Sequence, residues 1–446
     1  MRALRSAAAS FLLFFAVGLA LCAPALRWPM VYDDLHLLRP FTAAEKAAVW
    51  HGSWDPDGIE HPGLRPLTVL FNDGRHRLFG EDTAAHRVFL VVLFAVYACL
   101  LARMAFALGA PALGAIGGGV LLLCSRYSVY HYVWLTDGNH LLQGLLFALA
   151  ALALVSGLRS RSWPRLAASV AAFAAAVLVR EDGLALVPVL LSFALATAPR
   201  ERRVVLGYAA LLLAVALALF LYRRVAVPDA APPGLDVGSL LIAAIRTLSP
   251  VGRESFDGVS RALVWTWTAA PVLVVAGLLA RGRGPGGRVP LLFLAAAILS
   301  CAPALTFRRD DMLFFPASFT ALFYGTALGE LARAHRALRA AAAALFASGV
   351  IGGAYTSRVF ALNFHPDSAR AIRWNAQMLY GPYAGRATIP PARRGAVAQR
   401  LAVAGVTSAA DLVGLGSRIG AARSEGPFEP ASPGTLFYPR LPEKDF

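Results

Sequence analysis

Asp33 and Asp34 stand side by side in the stretch Tyr32-Asp33-Asp34-Leu35-His36, a few residues beyond an apolar run from Phe11 to Leu26. One carboxylate of such a pair can act as general base on an acceptor hydroxyl while the other tunes its pKa or holds the substrate. The same pair can also cap a helix or make an interface polar. Dragging the charges toward lipid costs several kcal/mol, yet on the residues alone capping or interfacial polarity is the plainer reading.

Three further groups carry chemistry-bearing side chains. The first is His61-Pro62-Gly63-Leu64-Arg65-Pro66-Leu67-Thr68, followed by Leu78-Phe79-Gly80 and His86-Arg87. Arg65 suits a phosphate or an aspartate; a proline-shaped interface loop is the plainer reading. The second is Tyr130-His131-Tyr132-Val133-Trp134-Leu135-Thr136-Asp137-Gly138-Asn139-His140. Its aromatics fit an interfacial belt, and His131 or Asp137 is placed to contact a sugar. His131 and His140 are too far apart along the chain to argue for a metal, so no metal ligand is assigned.

The third group comprises Arg180-Glu181-Asp182-Gly183 and Arg308-Arg309-Asp310-Asp311. Each sets arginine beside carboxylates at the edge of an apolar run. Arginine's planar fork suits a phosphate, whose charge must be neutralised when it departs. Mutual ion pairing near the membrane is the alternative.

The elements that position these groups follow from composition. The chain has 446 residues, of which 58% are hydrophobic and only 15% charged, with a mean hydropathy of +0.59. A soluble protein is closer to half apolar, so the expected class is an all-α polytopic membrane protein. Spans of roughly 20 apolar residues fall near 8–26, 86–108, 111–126, 139–157, 166–180, 183–198, 204–222, 262–280, 289–305, 312–330 and 338–356, about eleven in all. The third and fifth are short enough to be tilted, broken or re-entrant. Pro188 and Pro316 lie in apolar runs and are expected to kink them. The first run follows Arg2 and Arg5 and is read as an uncleaved span rather than a signal peptide.

The net charge of +16 comes almost wholly from arginine, since Lys46 and Lys444 are the only lysines. No basic stripe interleaved with aromatics suggests nucleic acid. Arginines instead gather in short loops: Arg159, Arg161 and Arg165; Arg200, Arg202 and Arg203; Arg281, Arg283 and Arg288; Arg333, Arg336 and Arg339. Counted from an inside N-terminus, all four groups fall on the cytoplasmic side, where basic residues fix orientation and meet anionic lipid. The segments carrying the acidic and mixed-charge groups then face outward. Cys22, Cys99, Cys124 and Cys301 lie within apolar runs and show no metal or disulfide spacing.

Two domains are expected: a transmembrane domain over 1–357 and an external C-terminal tail over 358–446. Segment 27–85 is too long for a connector and forms an external catalytic loop, with amphipathic stretches near 43–50 and 64–79 that suit the interface. No internal repeat is evident.

Taken in order, the Asp-Asp pair, Arg65-Pro66-Leu67-Thr68, Phe79-Gly80 and a histidine opening the second span resemble the GT-C superfamily of membrane glycosyltransferases. The likeness is to its protein O-mannosyltransferase-like branch, including the mannosyltransferases that carry tetratricopeptide repeats. Leu64 replaces a tyrosine of their Tyr-Arg-Pro-Leu segment. Residues Tyr130–Asn139 resemble their His-Pro-x-x-x-Glu-x-Val region with departures, Arg180-Glu181 their Lys-Glu turn, and Arg308 through Pro316 their Arg-Tyr-x-Tyr-x-Pro stretch. The likeness covers roughly 30–190 and 305–320, and the repeats themselves are absent.

This resemblance implies an inverting transfer from a polyprenyl-phosphate-linked sugar to a glycan, lipid or protein acceptor at the external face of a plasma or inner membrane. It implies Asp33 as general base, with Asp34 assisting or binding acceptor. Arg308 and Arg309, then Arg65 and Arg180, would hold the lipid phosphate, with His86, His131, Asp137 and Glu181 lining the substrate site. A divalent metal is left open, since Asp55-Pro56-Asp57 is unconvincing as a metal motif; no other cofactor is implied. A flippase or polar-solute transporter is the rival, although it predicts polar groups at the bilayer midplane rather than at one face. A non-catalytic assembly partner of a glycan pathway is a third reading.

Overall fold

The computed structural model describes residues 2–26, 34–55, 63–80, 82–228, 237–249, 258–280, 285–305, 313–333 and 336–380, with scattered positions between 395 and 411. Asp33, Arg308, Arg309, Asp310 and Asp311 lie outside the described residues.

Among the described residues the chain is helical throughout. In order the helices are α1 (Arg2–Cys22), α2 (Asp34–Leu37), α3 (Ala43–Ala48), α4 (Pro66–Phe79), α5 (Thr83–Ala107), α6 (Ala112–Cys124), α7 (Tyr130–Val133) and α8 (Gly138–Ser160). They continue as α9 (Trp163–Val179), α10 (Val187–Thr197), α11 (Arg202–Ala226), α12 (Val237–Thr247), α13 (Gly258–Ala280), α14 (Pro285–Leu299), α15 (Phe314–Leu331) and α16 (Arg336–Tyr380).

Each expected apolar run coincides with a helix. Among the described residues, five are suited by length and composition to cross a membrane: Ala7–Ala25, Thr83–Ala107, Gly138–Ser160, Arg202–Ala226 and Arg336–Arg358. The short third run is a broken one. Helix α6 and the Arg126–Val133 stretch form a pair bent by 63°, and would count as a sixth span if taken together. The fifth run, α9, stays short at 17 residues.

Pro188 and Pro316 do not kink helices. Pro188 occupies the opening positions of α10 and Pro316 is the third residue of α15. A first-turn N–H has no intrahelical partner to lose, so proline is tolerated there. Pro271 in α13 and Pro290 in α14 do lie inside helices. The long α16 runs without interruption through position 357, where the transmembrane domain was expected to end.

Burial sorts the helices into inner and outer ones. All of α15 except Gly329 is buried, as expected of a helix apolar on every side. It packs on α6 and α14, while α8 packs on α5 and α9. The α6–α15 crossing is close enough that a Cβ at Gly114 would lie 2.7 Å from the Gly325 carbonyl oxygen. Small residues let membrane helices meet backbone to backbone in this way. By contrast α11 buries only Val205, Tyr208 and Leu212 and exposes Leu206, Leu213, Leu217, Phe220 and Leu221, an apolar face suited to lipid.

The loops fall into two sets. Arg161 pairs with Glu201, joining two of the arginine-rich turns. At the other set, Tyr222 donates to the Trp50 carbonyl, and Glu181 lies 3.7 Å from Arg65 and 3.8 Å from Arg223. The second set contains the candidate site.

Candidate active site

The first loop is built by local rules and then docked. Thr42 and Glu45 form a reciprocal capping box that starts α3. Asp73 on α4 accepts from the Phe41 amide at 2.9 Å and from Lys46 Nζ at 3.1 Å, tying α3 to α4. Pro66 opens α4, where its missing N–H costs nothing. Thr68 donates to the Val179 carbonyl at 2.7 Å, fastening α4 to the end of α9.

Glu181 completes the docking. Its carboxylate accepts from the Leu64 amide at 2.8 Å and sits between Arg65 and Arg223. Gly63 lets the carboxylate approach the backbone closely: a Cβ there would lie 2.8 Å from Glu181 Oε1 and would push that side chain aside. Arg65 stacks over Trp54, its guanidinium 4.9 Å from the ring centroid, which suits a planar cation. Glu181 was expected among the substrate contacts; the structure places it as the latch between the first loop and the 180–186 turn.

Asp34 opens α2 and is wholly buried. Its carboxylate accepts from the Thr136 amide at 2.7 Å and the Leu135 amide at 3.3 Å. Two buried arginines, Arg75 on α4 and Arg87 on α5, lie near enough to attract it. Arg75 also donates to the Leu135 carbonyl at 2.8 Å. Burial pulls the Arg75 guanidinium down to about 10 while Asp34 opposes that shift, so it stays charged at neutral pH. A buried charge persists only when paired and hydrogen-bonded, and this group meets both conditions.

His86 was expected to touch substrate. Instead its Nε2 lies 2.9 Å from the Gly80 carbonyl and its Nδ1 lies 3.5 Å from Arg75 Nη2. With Nε2 protonated and Nδ1 accepting, the ring backs Arg75.

The 130–143 segment joins the two halves of the site. The one-turn α7 returns His131 to the start of α8, so that its Nδ1 lies 2.9 Å from Asp137 Oδ2. His140 approaches the other oxygen, Nδ1 to Oδ1 at 2.6 Å. Sequence separation had argued against such a meeting, yet the turn brings all three residues together in the interior. Burial alone would raise the Asp137 carboxyl, but the His140 and His131 rings outweigh it and hold it well below the usual carboxylate range.

One turn along α8, Gln143 donates to the Arg180 carbonyl at 2.9 Å and to Asp182 Oδ1 at 2.8 Å. Arg180 reaches Asp182 Oδ2 at 3.2 Å and Asn139 Oδ1 at 3.5 Å. Burial would raise Asp182; the Arg180 guanidinium, with His140, Gln143 and Arg65, holds it at about 2.

A continuous polar belt thus runs from Asp34, Arg75 and Arg87 through residues 135–143 to Arg180, Asp182, Glu181 and Arg65. Of the ten residues expected from sequence, seven lie in or against it: Asp34, Arg65, His86, His131, Asp137, Arg180 and Glu181. The other three, Asp33, Arg308 and Arg309, are outside the described residues. Phe314, which opens α15, packs edge-on against His131 with centroids 4.3 Å apart. Sequence reasoning passed over Arg75, Arg87, His140, Gln143 and Asp182 as site residues. Arg87 carried a usable signal, since an arginine inside an apolar helix marks function by default.

Residues 60–222 match the family described as dolichyl-phosphate-mannose-protein mannosyltransferase. This stretch contains Arg65, His86, His131, Asp137, Arg180 and Glu181. Among solved structures the chain is similar to that of ArnT from Cupriavidus metallidurans bound to undecaprenyl phosphate, with a TM-score of 0.47 and 15% identity over 82% of this chain and 80% of that one. No curated protein matches it in sequence. The family match, on an all-helical chain with several membrane-length apolar helices, supports an integral multi-pass membrane glycosyltransferase of GT-C type.

Proposed function

We propose that the enzyme transfers a sugar from a polyprenyl-phosphate donor to an acceptor hydroxyl at the external face of the membrane. The observation that carries this reading is the belt. It gathers Asp34 and Arg65 of the first loop with Arg180 of the 180–182 turn at one set of loops, apart from the set where Arg161 meets Glu201. The arginine-rich loops belong inside by the positive-inside rule, which supports an external site.

In the proposed step the acceptor oxygen attacks the anomeric carbon as Asp33 takes its proton. The bond from that carbon to the phosphate oxygen breaks, and the lipid phosphate leaves with the electron pair. Asp34, buried and held by two amides, anchors the start of α2. Arg65 and Arg180, with Arg308 and Arg309, neutralise the departing phosphate. The acceptor class is a hydroxyl of a glycan, lipid or protein.

Purified protein in lipid nanodiscs, given a panel of polyprenyl-phosphate sugars, is expected to release free polyprenyl phosphate only when an acceptor is added. Asp33→Asn should reduce the rate by about 100-fold or more. Failure to bind or turn over any such donor, together with unchanged cellular glycans in an Asp33→Asn strain, would overturn the reading.

A further inference from the structure

His131, Asp137 and His140 form a cluster that the transfer step above does not use. The three residues are buried, and one donor atom from each lies within 4.8 Å of the others. Aromatic rings wall them in: Phe314 lies 4.3 Å and Phe94 5.9 Å from the His131 ring, both edge-on.

The cluster can form a hydrogen-bonded trio or hold a cation. In a purely hydrogen-bonded trio, both imidazoles donate Nδ1–H to the one carboxylate. His131 Nε2 is then left buried with no hydrogen-bond partner among the described residues. A divalent ion draws on both imidazoles and the carboxylate at once, and rewards bringing them together in an otherwise aromatic interior.

We propose that His131, Asp137 and His140 bind a divalent transition-metal ion. Two imidazoles and one carboxylate make a nitrogen-and-oxygen donor set that suits zinc, manganese or ferrous iron, and disfavours calcium and magnesium, which take oxygen ligands. Three protein ligands leave at least one coordination position for an exogenous oxygen, the pattern of metal sites that act on a bound molecule. The ion also has a fixed scaffold. Thr136, beside Asp137, is pinned to Asp34, and Asn139, beside His140, is pinned to Arg180. The site therefore lies between the two charged groups of the belt, and its occupancy should stiffen both.

The proposal concerns the same site as the transfer reaction, but its test needs no donor or acceptor, so the two readings fail independently. Full-length protein purified without chelator should carry about one metal ion per chain by elemental analysis. Protein stripped by chelation should recover it on titration with zinc or manganese chloride. His140→Gln and Asp137→Asn should each weaken zinc affinity by at least about tenfold, with helical content unchanged by circular dichroism. Wild-type affinity in both variants, or no zinc or manganese uptake by the stripped protein, overturns the proposal. Should the variants fail to fold, X-ray absorption at the metal edge of the wild-type protein decides: scattering from two imidazoles supports the site. Its absence means an adventitious ion only and overturns it.

Discussion

Two charged clusters close the same set of loops and are built in opposite ways. Asp34 draws every partner named above from far along the chain, with amides about a hundred positions away and arginines from α4 and α5. The 180–182 turn makes its central ion pair within itself, Arg180 to Asp182 at 3.2 Å; that pair reaches Gln143 and Asn139, while Glu181 between them latches the first loop. The first is a tertiary joint in which each charge is buried because the others are present. The second is a local turn whose ion pair is closed within itself. Damage to the first should therefore spread, while damage to the second should stay confined.

The largest effect is expected for Asp34→Ala. Two buried amides lose their acceptor, and Arg75 and Arg87 lose the carboxylate that offsets their burial. Breaking a buried pair costs about 3–5 kcal/mol, so thermal unfolding in detergent should fall sharply. A melting temperature no lower than that of Asp182→Ala would break the comparison.

Next comes the acid dependence of the local turn. Asp182 sits at about 2 in the folded protein, below roughly 3.9 for an unperturbed aspartate. Its contribution, about 2 kcal/mol by linkage, is fully present above pH 4 and is lost as pH falls through 2. Unfolding of wild type and Asp182→Asn should converge across that window, the variant lacking this share of the acid sensitivity. Equal acid sensitivity in both would remove Asp182 from the account.

Glu181→Gln should have the smallest effect on global stability, about 1 kcal/mol or less, because its pairs with Arg65 and Arg223 are long and part-exposed. Its local effect should exceed its global one. The latch on the first loop loosens, so protease cleavage within 27–65 should rise several-fold at nearly unchanged melting temperature. Matching cleavage rates would mean that Thr68 and Asp73 suffice to hold the loop.

The two clusters also mark how far the chain could be read before folding. Arg180-Glu181-Asp182 announced itself because its charges are neighbours in sequence. Asp34 announced itself only as one of a pair, and nothing nearby indicated that Leu135 and Thr136 would hold it. Arg75 looked like the polar side of an interfacial helix, yet it is fully buried. His86 was legible as a histidine opening a span but not as the ring behind Arg75. His131 and His140 were separated by nine positions of unassigned turn, which concealed their convergence on Asp137. The prolines misled for a simpler reason: without a known helix start, Pro188 and Pro316 cannot be told from kinks.

By itself the sequence determined that this is a helical membrane protein, where its apolar helices lie and which charges are too costly to be accidental. Those properties are sums over short runs, because hydropathy, helix propensity and local ion pairing depend on near neighbours alone. Only the tertiary structure decided that Asp34 is an anchor, that Glu181 is a latch and that two histidines meet on one carboxylate. The first two depend on packing between segments about a hundred residues apart, and the third on the one-turn α7 that folds His131 back toward the start of α8.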